Sequence, residues 1–151
     1  MDLAFLYAQN DSVMTEADYP YVSGTTKKDG QCKYVKAEAK VLVKDYIDVK
    51  SNNPTQLKAA LNKGPVSIAI EADKDVFQHY KSGIVSSASC GTKLDHGVLA
   101  VGYGSDTGQD YYIVKNSWGA TWGEDGYVRI AIESGKGICG IQSTPSYPIT
   151  N

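Results

Sequence analysis

The sequence lacks most of the features that would fix its class at a glance. No apolar run approaches the length needed to cross a bilayer. No basic cluster stands out and the formal net charge is only −2, which argues against nucleic acid or an anionic membrane as the main partner. The amino terminus, Met1-Asp2-Leu3-Ala4-Phe5-Leu6, has neither the basic start nor the long apolar core of a signal peptide, which leaves the compartment of a processed protein open. There is no internal repeat and no low-complexity run. Cysteine is scarce and odd in number at three, so one thiol has no partner within the chain. Histidine, whose proton moves near neutral pH, occurs only at His79 and His96. Gly102-Tyr103-Gly104 lacks the third glycine and following helix of a nucleotide loop, and neither a cofactor nor a metal is expected.

What is present suits a folded domain of modest size: 151 residues, 42% apolar and 21% charged. Leu3, Leu6 and Tyr7 have helical spacing but belong to a segment too short to stand alone in water. Residues 18–30 read as a loop from their Pro, Gly and Lys content, and Val41–Val43 and Tyr46–Val49 as strand. Asn53-Pro54-Thr55-Gln56 predicts a helix start, with Gly64 and Pro65 marking its end. Val66–Ile70 follows as a strand, Asp73–Tyr80 as a short helix and Gly126–Ile132 as an alternating strand. Residues 137–148 read as a loop with room for one short strand. From about residue 37 the pattern is strand-rich, an α+β composition that suits a small antiparallel barrel or curled sheet.

The chemistry concentrates between His96 and Trp118. Val98–Gly104 and Tyr111–Val114 are β-rich runs joined by a polar turn over Ser105–Asp110, a plausible antiparallel hairpin. Its free ends lie side by side, bringing His96 and Asn116 within hydrogen-bond reach although they are 20 residues apart. An amide oxygen there could fix the imidazole tautomer without adding charge, and Trp118 could roof the bond. A lone His ahead of a strand is more often structural, and His79, on a polar helix, reads as a surface residue.

The surrounding motifs raise His96 above that expectation. They are Asp18-Tyr19-Pro20-Tyr21 with Cys32, Gly64-Pro65-Val66-Ser67, Phe77 to Tyr80 with Lys81-Ser82-Gly83-Ile84, Leu94-Asp95-His96-Gly97, Tyr112 to Gly119, Trp122 to Tyr127, and Cys139-Gly140 with Tyr147-Pro148. In this order they resemble the papain-like cysteine proteases, and within them the cathepsin L-like group. The resemblance implies a papain-like fold with residues 1–36 as a remnant of the helical left domain. Residues 37–151 would form the barrel-like right domain. It implies that His96 is the catalytic base and then acid, that Asn116 orients it, and that Trp118 shields the pair. Ala69, Leu94, Gly97 and Thr144 match the pocket for the second residue before the scissile bond (P2), and Asp95 lines the cleft through its backbone. That pocket set is small and uncharged, which implies a bulky apolar P2 side chain. Cys90 and Cys139 match a disulfide of the barrel half, and Cys32 matches a cysteine whose partner lies in the amino-terminal part.

One departure bears on activity. The family's nucleophile sits well over a hundred residues before the His in a Cys-Gly-Ser/Ala-Cys-Trp/Tyr context. Here 95 residues precede His96 and that motif is absent, as is the glutamine of the oxyanion hole. The expectation is therefore a carboxy-terminal part of a cysteine endopeptidase, inert alone and active with an amino-terminal half in cis or trans. A non-catalytic binding or inhibitory homologue, and a truncated product, stay open beside it. The resemblance further implies peptide or protein substrates, cystatin-like inhibitors as partners, and a lysosomal, vacuolar or secreted location.

Overall fold

Local signals account for the elements that frame the hairpin. Asn53 is extended and its side chain accepts from the Gln56 N–H at 3.0 Å, while Pro54 takes the first helical position. The helix so started places Leu57, Ala60 and Leu61 on one buried stripe. Pro65 follows, and Val66–Ile70 alternates between buried and half-buried positions as a strand with one face on the core.

The structure, a computed structural model, describes residues 1–150. In chain order its helices are α1 (Asp2–Asp11), α2 (Ser23–Thr26), α3 (Pro54–Leu61) and α4 (Asp75–Gln78). The strands are β1 (Asp45–Asp48), β2 (Val66–Ile70), β3 (Ile84–Val85), β4 (His96–Asp106), β5 (Gln109–Lys115), β6 (Tyr127–Ala131) and β7 (Ser146–Ile149). The strands form one sheet in the order β1-β7-β2-β4-β5-β6-β3.

The described residues divide into two compact units, residues 1–47 with 148–150, and residues 48–147. In the first, α1 is followed by an antiparallel bridge between Val13 and Val41. Gln9 donates to the Lys44 carbonyl, Phe5 stacks on Tyr46 at 5.8 Å, and Lys40 pairs with Asp18 at 2.6 Å. Its buried apolar residues are Ala8 and Val43.

The second unit holds the main core. Leu57, Val66, Ile68, Ile70, Phe77, Tyr112, Val114, Val128, Ile130 and Ile141 are fully buried there. Cys90 and Cys139, both buried, form the disulfide that the resemblance implied, joining the 3₁₀ turns Ala88–Cys90 and Ile138–Gly140. Gln142, also fully buried, donates to the Glu133 and Gly135 carbonyls and accepts from the Tyr112 hydroxyl at 3.0 Å. Burial holds the Tyr112 phenol above its ordinary pKa, so it stays a donor in that bond.

Four expectations need correction. The sheet is not closed into a barrel, because short strands, β1 and β3, stand at its two ends. It is also not wholly antiparallel: β3 pairs parallel with β6. Val41–Val43 is not a strand, since only Val41 finds a partner, through its bridge to Val13. The loop over 18–30 contains the single turn α2, closed by Lys27 in the left-handed region.

Candidate active site

The hairpin is longer and tighter than its sequence suggests. The ladder continues through Ser105↔Asp110 and Asp106↔Gln109, leaving a two-residue turn at Thr107-Gly108. Both turn residues have positive φ, 49° and 86°, as a turn matching the right-handed strand twist requires. A bulge at Ala100/Gly102 shifts the register by one residue. On the site side of it Leu99 faces Lys115, so carrying that register on would set Trp118 opposite His96. Asn116 instead stays in register with β6, its N–H donating to the Gly126 carbonyl at 3.0 Å one pair beyond Lys115↔Tyr127.

His96 Nε2 and Asn116 Oδ1 lie 2.9 Å apart. The Ser117 backbone N–H also points at Asn116 Oδ1, at 2.8 Å. A backbone amide can only donate, so that atom is the amide oxygen and Nε2 must carry the proton in its bond to it. The neutral ring then holds its free lone pair on Nδ1, which makes no hydrogen bond among the described residues. Asn116 is buried and His96 half-buried, so the bond is sheltered while the ring edge stays reachable.

Trp118 lies over the imidazole, ring centres 5.2 Å apart and planes 26° from parallel. Its edges meet Phe77 at 5.5 Å and Trp122 at 5.3 Å. Phe77 is fully buried and Trp122 donates its indole N–H to the Gln78 carbonyl, so α4 anchors the roof. Glu124, next to that cluster, accepts from the Gly83 N–H and forms a two-pronged pair with Arg129 at 2.8 and 2.9 Å. Arg129 holds the Glu124 carboxyl below the usual carboxylate range. Phe77 and Glu124 lie in motif runs, yet their contacts with Trp118 and Gly83 join segments far apart and were not legible there, while Arg129 had no signal beyond its place in a strand.

The remaining sequence-derived residues fall in two groups. Ala69 and Gly97 are register partners across β2 and β4, and a side chain at Gly97 would enter open space, leaving a bare floor beside His96. Leu94 packs against Gly140, where a β-carbon would stand 2.8 Å from Leu94 Cδ2. Asp95 does more than present its backbone: its N–H donates to the Ile70 carbonyl and its carboxylate accepts from the Ala72 N–H at 2.8 Å. Thr144 is exposed in the turn before β7, and no hydrogen bond joins it to Ala69, Leu94 or Gly97 among the described residues. Of the cysteines, Cys90 and Cys139 are bonded and Cys32 is an exposed free thiol in the first unit.

Comparison with known proteins finds relatives over nearly the whole of these residues. The model of the papain family cysteine protease matches residues 1–149. Cysteine proteinase RD21A of Arabidopsis thaliana is 50% identical over 155 residues, a match covering all of this chain and 32% of that protein. The chain thus spans about a third of the length of that relative. Among solved structures, bromelain from Ananas comosus, bound to an inhibitor, has a TM-score of 0.88 at 40% identity over 99% of this chain and 69% of its own. Procathepsin L 3 from the larval midgut of Tenebrio molitor gives 0.89 at 41% identity, covering 98% of this chain and 47% of its own. The fold is therefore α+β and papain-like.

Proposed function

Since this chain belongs to the papain family of cysteine proteases, we propose that it supplies the histidine–asparagine half of a cysteine endopeptidase site. The observation that carries this reading is the 2.9 Å bond from His96 Nε2 to an oxygen that Ser117 identifies. That bond leaves Nδ1 as the atom that takes and returns a proton.

The steps follow from that assignment. Nδ1 removes the proton of a cysteine thiol, and the Asn116 oxygen steadies the imidazolium without a competing charge. The thiolate attacks the peptide carbonyl carbon and the C=O pair moves onto oxygen. As the pair returns the C–N bond breaks, and Nδ1–H protonates the leaving amine. The imidazole then takes a proton from water, whose oxygen attacks the thioester and releases the acid and the thiol. Trp118 keeps bulk water off the His96–Asn116 bond throughout. The thiol comes from a segment outside these residues, since Cys90 and Cys139 are bonded and Cys32 has loop neighbours unlike the family's nucleophile. A bulky apolar P2 side chain would lie against Ala69, Leu94 and Gly97, with Thr144 at the pocket's outer end. The buried disulfide supports an oxidising route, to a vacuole, lysosome or the cell exterior.

The test is complementation. The chain is refolded alone and with the amino-terminal part of bromelain that it does not match, then given a fluorogenic dipeptidyl amide with Leu or Phe at P2. Turnover is expected only in the mixture, falling at least about a hundredfold with His96→Ala. Turnover by the chain alone that His96→Ala abolishes would overturn the external thiol. An associated but inert mixture would overturn the catalytic reading.

A further inference from the structure

The second unit contains a buried carboxylate that the proton transfers above do not use. Glu71, just beyond β2, is 4% exposed. One carboxylate oxygen accepts from the Lys93 backbone N–H, and the other pairs with Lys74 Nζ at 3.0 Å. Its main chain is engaged as well: the N–H donates to the Cys139 carbonyl at 2.9 Å, and Cys90 Sγ lies 3.6 Å from its carbonyl oxygen. The carboxylate also rests on Gly91, where a β-carbon would fall 2.2 Å from Oε2. Gly91 has φ +76°, so this residue is glycine both for its backbone and for lack of room.

A reciprocal link lies two residues beyond Lys93. The Asp95 carboxylate accepts from the Ala72 N–H, and the Asp95 N–H donates to Ile70. Residues 70–74 and 91–95 are therefore cross-linked twice, each segment lending one carboxylate to a backbone N–H of the other. Leu94 sits between the two anchors, and His96 begins β4 immediately after the second, paired with Ile70.

We infer that Glu71 is a positioning residue, its ionised carboxylate holding residues 91–95 in the shape that offers Leu94 and Asp95 to a bound peptide. Without that anchor the segment is tethered only at its ends, by the Cys90–Cys139 bridge and by Asp95, and Leu94 is free to move off the pocket wall. The Lys93 N–H and then the Lys74 ammonium hold Glu71 below the usual carboxylate range, with Asp73 also engaged by Lys74. Asp95 faces it from the opposite segment, its own carboxylate committed to Ala72. A depressed folded-state pKa means the anchor is intact above the ordinary carboxylate range and lost as pH falls below it.

The functional consequence rests on the proposed peptide-binding role of Leu94 and Asp95, so two measurements separate the ideas. In the chain alone, Glu71→Gln is expected to speed amide exchange at Lys93 by about tenfold or more, with Val114 and Ile130 unchanged. Acidification should shift the Lys93 amide and Leu94 methyl NMR signals together in the parent chain, below the ordinary carboxylate range, and not in the variant. If Glu71→Gln does not fold, Lys74→Met serves instead: removing the cation should move that acid shift to higher pH. Unchanged Lys93 exchange in folded Glu71→Gln, or an acid shift insensitive to Lys74→Met, would overturn the anchor. In the complemented enzyme, Glu71→Gln should raise KM about fivefold or more for a Leu-P2 substrate with kcat nearly constant. An equal loss in kcat would overturn the positioning role. Absence of any parent activity would instead strike the proposed function and leave the exchange result standing.

Discussion

The two units of the chain differ in how they use apolar residues. Residues 48–147 bury theirs: among the described residues the twelve largest side chains below 2% exposure, all apolar but Gln142, belong to this unit. Residues 1–47 present theirs to the outside, with Leu3 83% exposed and Leu6, Tyr7, Tyr21, Val22 and Leu42 exposed beside it. The first unit is organised by short-range turns and single bonds such as Thr15–Asp18 and Lys40–Asp18. The second is organised by a long ladder, a disulfide and buried polar bridges. A site needing fixed distances can be built on the second alone, and the His96–Asn116 pair is found there. The first leaves an apolar surface exposed, which is consistent with the proposed need for an amino-terminal half.

That contrast can be broken by measurement. The largest effect should come from the disulfide: replacing Cys90 and Cys139 by Ala should cost about 4 kcal/mol in the chain-entropy model for a bridge of this span. Denaturant unfolding of the two forms under oxidising conditions gives the number, and a loss near zero would mean the second unit does not depend on its cross-link. Next, Ile68→Ala should cost about 3 kcal/mol, while Leu6→Ala should cost less than about 0.5 kcal/mol. Equal costs from the same unfolding experiment would erase the distinction between the units. An effect smaller than that of the core substitution concerns charge. Glu124→Gln should cost about 1 kcal/mol at neutral pH. The Glu124 carboxyl is held below its ordinary pKa in the fold, so that contribution is present above about pH 4.3 and fades as pH falls through the lower folded value. Stability curves of parent and variant should converge in acid. Curves that stay parallel would show that the pair with Arg129 is not what Glu124 contributes. Asp18→Asn, removing the exposed partner of Lys40, should leave unfolding of the second unit unchanged.

The regions that the sequence made legible are those whose signals are local. The α3 start could be seen because Asn53, Pro54 and Gln56 act within one turn. β2 matches its expected bounds, Val66–Ile70, since Gly64 and Pro65 mark its beginning and its alternation is regular. The hairpin was legible in its strands and misjudged in its turn. Polar residues 105, 106, 109 and 110 look like loop, yet pairing across the turn draws them into the ladder. Val41–Val43 failed for the opposite reason. A β-branched run makes a strand only where a neighbour offers its edge, and only Val41 has one. The parallel β3–β6 pairing left no trace either, because two residues cannot show a period.

The candidate site divides in the same way. His96, Asn116 and Trp118 drew notice because their motifs are contiguous and their residue types suit proton transfer. Glu71 and Gln142 did not, although both are buried and each joins segments 20 or more residues apart along the chain. The sequence by itself determined the chemistry on offer: an imidazole and an amide at the two ends of one hairpin, with an indole close behind. Only the tertiary structure decided which ring nitrogen holds the proton. That choice depends on a backbone N–H at Ser117 aimed at the amide oxygen, and on a roof anchored by Phe77 from another element. Directions of this kind are fixed by packing between distant segments, and no local pattern of residues encodes them.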